Sequence, residues 1–100
     1  LLRQKKSLEE MFYWKNQQQE EVDFVIKEKQ RVTLIQSCSN ISSPDTKKRE
    51  LRALLKASAQ LQGQNQNLII ITFDYEGKEM VRGKKIAYVP LWKFLIQKDL

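Results

Sequence analysis

Short apolar runs alternate with polar ones along the chain, and three of them open it. Residues 11–15, MFYWK, set three aromatics beside Met11, a density of bulky side chains that suits a strand. The polar NQQQEE that comes next reads as a turn. EVDFVI over 21–26 makes a second strand, KEKQ over 27–30 another polar turn, and RVTLIQS over 31–37 a third strand rich in β-branched residues. Three successive strands joined by short polar turns predict an antiparallel meander.

SNISSPDT then gathers Ser, Asn, Pro and Asp, and a helix should start inside it. Ser43 can accept a hydrogen bond from a first-turn amide, Pro44 suits the first helical position, and Asp45 complements the positive end of the helix dipole. At about 100° per residue, Leu51, Leu54, Leu55, Ser58 and Leu61 share one side, with Ala57 at its margin; this side should face a core. Lys48, Arg49, Arg52 and Lys56 take the other side, with Glu50 as its only acid. The helix is expected to end near Gly63, where a residue without a side chain tolerates positive φ.

NLIIITF over 67–73 is an unbroken apolar run of strand length, the pattern of a central strand covered on both faces. KEMVRGKKIAYVP reads as a further edge strand or loop followed by the strand KIAYV, with Pro90 preventing further pairing. PLWKFLIQKDL closes the chain as a short helix with Pro90 in its first turn and Leu91, Phe94 and Leu95 on one side. The order β-β-β-α-β-β-α predicts the mixed α/β class: an antiparallel meander, a crossover helix and further strands, forming one domain over residues 1–100.

Composition removes several chemistries. With no histidine, neither a Ser-His nor a Cys-His nucleophile pair can be assembled from this chain. Three glycines fit neither a GxxxxGK[ST] phosphate loop nor a GxGxxG turn, so no nucleotide site and no cofactor are expected in this chain. A lone cysteine, Cys38, permits no internal disulfide and reads as a small buried apolar residue in a reducing compartment. No apolar run approaches the ~20 residues of a membrane span, so a cytoplasmic domain is expected. The chain begins at Leu1, as a piece of a longer protein would.

Charge adds a direction. Lys and Arg outnumber Asp and Glu by 18 to 12, a net charge of +6 that suits an acidic partner such as DNA. Lys48, Arg49, Arg52 and Lys56 are the candidate nucleic-acid contacts, although an ordinary solvated helix face carries the same pattern. Phe12, Tyr13 and Trp14 can stack on bases, but their clustering in an early strand fits core packing.

Two strands also hold the outline of a metal site. A nuclease-type centre needs an acid on one strand, then an acid or amide and a lysine two apart on the next, so that alternation turns both to one face. Asp23 and Gln36 meet the first two demands as candidate metal ligands. Two residues beyond Gln36 stands Cys38 instead of a lysine, and a neutral amide at 36 weakens the hold on a hard cation such as Mg²⁺. No catalytic residue is assigned; Asp23 and Gln36 can equally be polar groups satisfied within the sheet.

FYWKNQQQEEVDFVIKEKQRVTLIQSCS, the helix TKKRELRALLKAS, and NLIIITFDYEG with KIAYVPLWKFL resemble, over nearly the whole chain, the C-terminal domain of a family of bacterial and archaeal AAA-type ATPases, a domain of unknown function. The resemblance implies kinship with the PD-(D/E)XK superfamily and its restriction-endonuclease-like core. Asp23 would take the place of the superfamily's first acid, Gln36 that of the second, and Cys38 that of the lysine. It further implies a non-catalytic accessory domain whose ATP chemistry lies elsewhere in the parent chain, and which binds nucleic acid or protein. An active Mg²⁺-dependent deoxyribonuclease, with a lysine supplied by Lys27, Lys29 or Lys93, and a self-associating module using the closing helix are the alternatives.

Overall fold

The three opening runs pair as the meander predicts. In the computed structural model, which describes residues 8–18, 20–28, 31–38, 40–61 and 65–97, they are β1 (Leu8–Lys15), β2 (Glu21–Glu28) and β3 (Arg31–Ser37). β1 with β2 and β2 with β3 are antiparallel. Helix α1 (Pro44–Gln60) then crosses to β4 (Asn65–Thr72), followed by β5 (Gly77–Val81), β6 (Lys84–Pro90) and α2 (Leu91–Gln97). The six strands lie in the order β1-β2-β3-β4-β6-β5, with β4 parallel to both β3 and β6 and β5 antiparallel at the edge. The fold is α/β with a mixed sheet.

The start of α1 follows the local chemistry read from the sequence. Ser43 has an extended backbone and its Oγ accepts from the Thr46 amide at 3.4 Å, Pro44 occupies the first turn, and Asp45 lies beside the dipole. The last turn closes where the Leu61 amide donates to the Ala57 carbonyl at 3.0 Å; Gly63, the expected stop, lies outside the described residues. The buried stripe is rotated from the expected one. Ala53, Leu54, Ala57 and Ser58 are buried, while Leu51, Leu55 and Leu61 are only partly so. Ala57 is thus central rather than marginal, because small residues let the helix approach the sheet closely and the flanking leucines straddle it.

Alternation along the strands defines the face that α1 covers. Val32 and Leu34 of β3, Leu68 and Ile70 of β4, and Ile86 and Tyr88 of β6 are buried with Leu54 and Ala57 in one core. Truncating Leu54, which has no exposed surface, removes about 2–5 kcal/mol. The expectation that β4 is covered on both faces is corrected. β4 does take the central place, yet its burial alternates, with Leu68, Ile70 and Thr72 buried and Ile69 and Ile71 half-buried. Those isoleucines are flanked in register by Ile35 and Ser37 on one side and Ala87 and Val89 on the other. An apolar run here reflects in-plane neighbours as much as a covering layer. On β1, Trp14 is buried, Phe12 is partly buried, and Tyr13 is exposed.

The β1–β2 register shifts between Leu8 and Glu10 and again between Phe12 and Trp14. Between the pairs Phe12↔Val25 and Trp14↔Val22, two steps on β1 oppose three on β2, a bulge that leaves both Val22 and Val25 fully buried. At the β5–β6 turn, Arg82 and Gly83 have φ of 53° and 81°, the double positive φ of a type I′ hairpin. Pro90 ends β6 in register with Thr72, so it sits in the strand and α2 begins one residue later. Leu91 and Leu95 of α2 are exposed and Phe94 is half-buried, so α2 does not bury the single apolar side expected of it. Among the described residues no helix is long and apolar enough to cross a membrane.

Candidate functional site

Asp23 and Gln36 are brought together, and both are engaged in joining β2 to β3. At the bulge β2 leaves the regular ladder, whose last pair is Phe24↔Ile35. The buried Gln36 side chain fills the gap as a peptide group would. Its Oε1 accepts from the Asp23 amide at 2.9 Å and its Nε2 donates to the Glu21 carbonyl at 2.7 Å. The Asp23 carboxylate reaches back across the strands, where Oδ2 accepts from the Ser37 amide at 3.0 Å and the Ser37 hydroxyl at 2.8 Å. Four hydrogen bonds thus replace the ladder the bulge interrupts.

Cys38, standing where the resemblance puts a lysine, is buried, and burial raises its thiol pKa. Its amide donates to the Ile71 carbonyl at 2.9 Å. Glu50 of α1 is pushed upward as well, first by burial and then by the nearby charges of Asp23 and Glu21, against the pull of Arg49. Among the described residues no three His, Cys, Asp or Glu side chains gather as a metal-holding group. Of the lysines considered as substitutes, Lys93 pairs with Glu76, and Lys29 lies outside the described residues.

The basic side of α1 is a different kind of surface. Lys48, Arg49, Arg52 and Lys56 are all exposed, but they are not equivalent. Glu20, from the β1–β2 turn, receives Arg52 Nε on Oε2 at 2.8 Å and Lys56 Nζ on Oε1 at 3.0 Å. Asn16 holds the same carboxylate at 2.9 Å. Hydrogen bonds from Asn16, Lys56 and Arg52, in that order, pull the Glu20 carboxyl down to about 2. Arg49 lies 3.8 Å from Glu50. Lys48 takes part in no ion pair among the described residues.

Lys48 lines a groove of about 630 Å³ between α1 and the β5–β6 turn. Leu51, Leu55, Ala59 and Val81 contribute its apolar lining; Lys48, Arg52, Lys56, Arg82 and Lys84 contribute five cations, with no acid. Arg82 and Lys84, like Lys48, form no ion pair among the described residues. With Arg52 and Lys56 held by Glu20, the surplus positive charge of the groove comes from Lys48, Arg82 and Lys84, and such a surplus over low-dielectric walls attracts anions.

A family model described as Domain of unknown function (DUF4143) matches residues 1–94. The chain belongs to this family. No curated protein and no solved structure matches it.

Three residues of the DUF4143 domain's charged surface escape a reading of the sequence. Arg82 and Lys84 belong to a visibly basic VRGKK stretch, but their place beside α1 depends on β5 and β6 lying at the sheet edge next to it. Glu20 sits in a polar turn whose sequence says nothing of the two cations it meets. Asp23 and Gln36, by contrast, are legible as a pair from strand alternation alone.

Proposed function

We propose that this domain is a non-catalytic accessory module, built on a restriction-endonuclease-like core and carried by a longer AAA-type ATPase, and that it works by docking a negatively charged partner. The observation that carries the docking role is the groove between α1 and the β5–β6 turn, where five cations surround an apolar floor and three of them, Lys48, Arg82 and Lys84, form no ion pair among the described residues. The nuclease-like core is supported by the meander followed by a crossover helix into a parallel central strand. The non-catalytic reading is supported by the use of Asp23 and Gln36 to join β2 to β3, and by the buried thiol of Cys38 in the lysine's place. In this reading Lys48, Arg52 and Lys56 of the basic stripe line the docking groove together with Arg82 and Lys84, while Arg49 sits apart from it.

Retention of the protein on immobilised duplex DNA and on polyglutamate across a salt series tests this. Binding at low salt that weakens steeply with added salt, and that is lost in Lys48→Glu/Arg82→Glu/Lys84→Glu, is the expected result. Failure to bind either polymer at low salt would remove the docking role.

A second reading, self-association, is favoured by the exposure of Leu91, Trp92, Leu95 and Ile96 on α2. Light scattering over a concentration series should then show dimers, and a strictly monomeric protein at high concentration excludes it.

A further inference from the structure

The groove's floor distinguishes it from a simple phosphate track. Leu51, Leu55 and Val81 rest on the core from below and line the groove from above. A nucleic-acid backbone has charge for the rim but nothing that gains much from covering aliphatic carbon. A peptide bearing carboxylates and aliphatic side chains satisfies both. We infer that the groove between α1 and the β5–β6 turn takes an acidic segment of a partner protein whose aliphatic side chains anchor on Leu51, Leu55 and Val81. This inference rests on the reading that the groove docks an anion.

Two further observations point the same way. The chain itself displays how this face grips a carboxylate: Arg52 and Lys56 close on the two oxygens of Glu20 at 2.8 and 3.0 Å. A glutamate of a partner meets the same chemistry from Lys48, Arg82 and Lys84, which have no ion-pair partner of their own among the described residues. The second observation is the backbone of Arg82. The first central position of a type I′ turn favours Asn, Asp or Gly, and a long side chain at φ 53° is held there against its preference. The strained position sets a guanidinium on the groove's rim, and strain kept where a charge is presented is a mark of function.

The test compares three labelled probes by fluorescence anisotropy near physiological salt: a peptide alternating Glu and Leu, the same peptide with every Leu replaced by Ser, and a short DNA duplex. The protein is used as it is and as Arg82→Asn, which suits the turn. The Glu/Leu peptide is expected to bind, with the Ser peptide at least about tenfold weaker because it lacks the anchors. Arg82→Asn is expected to raise the urea midpoint of the protein and weaken the Glu/Leu peptide about threefold or more. Equal binding of the two peptides, or unchanged peptide affinity in Arg82→Asn, would overturn the inference and leave anion docking intact. Preference for the duplex would assign the groove to nucleic acid instead, and binding of none of the three at any salt would overturn the docking role as well.

Discussion

Replacing Gln36 tests whether its amide holds the bulged end of β2 in place. In Gln36→Leu the volume is nearly kept, so the cavity term is small, but the Asp23 amide and the Glu21 carbonyl lose bonds of 2.9 and 2.7 Å. Gln36 is only 1% exposed, so an aliphatic side chain there leaves both groups facing apolar surface rather than water. Each unsatisfied group costs about 1–3 kcal/mol. Glu21 is itself exposed, and partial hydration of its carbonyl lowers the sum to about 2–4 kcal/mol. With a urea m-value of about 1.5 kcal/mol/M, the unfolding midpoint should fall by about 1–3 M. Gln36→Glu preserves the acceptor for the Asp23 amide but turns a charged oxygen toward the Glu21 carbonyl, so it should be destabilised at neutral pH and recover as acid protonates it. Urea melts followed by circular dichroism at pH 7 and pH 4 read both variants. If Gln36→Leu is as stable as the unaltered protein to within about 0.5 kcal/mol, the amide is not bridging the strands and the account of the bulge is wrong.

The charged groups set further expectations. Glu20→Gln should release Arg52 and Lys56 and strengthen polyanion binding at low salt, and unchanged binding would mean those cations are not in the docking surface. Because the Glu20 carboxyl lies near 2 against an ordinary 4.5, its stabilisation is present above pH 4.5 and lost as pH falls through 2. Thermal midpoints at pH 5 and pH 2 should therefore differ less in Glu20→Gln than in the parent. Tyr88→Phe removes the hydroxyl that donates to Glu79 at 2.7 Å and should cost about 1–2 kcal/mol. The Glu79 carboxyl, now held below its ordinary value chiefly by that bond, should rise in an NMR titration. Plasmid incubated with the protein and Mg²⁺ should stay intact; cleavage that disappears in Asp23→Ala would overturn the non-catalytic reading.

Local chemistry wrote much of this fold in advance. The β-branched runs became strands, Ser43 and Pro44 started α1 where they stand, and the order of elements followed the reading of the chain except that Gly77–Val81, open between edge strand and loop, forms a strand of its own, β5. These outcomes depend on interactions within a turn or two of each residue, so they are visible without the rest of the chain. The alternation that paired Asp23 with Gln36 is local in the same sense. The use made of the pair is not: the bulge that converts their side chains into substitutes for backbone arises from fitting both Val22 and Val25 beneath α1.

The charged surface separates the two kinds of information most sharply. Lys48, Arg52 and Lys56 share a helix side by periodicity, which any helix of this sequence would produce. Which of them is neutralised, and which faces a groove, was decided by the return of the β1–β2 turn with Glu20 and by the β5–β6 turn with Arg82 and Lys84. Those partners lie tens of positions away along the chain. Coulombic pairing depends on distance through space, and only the stacking of α1 on one face of the sheet sets those distances.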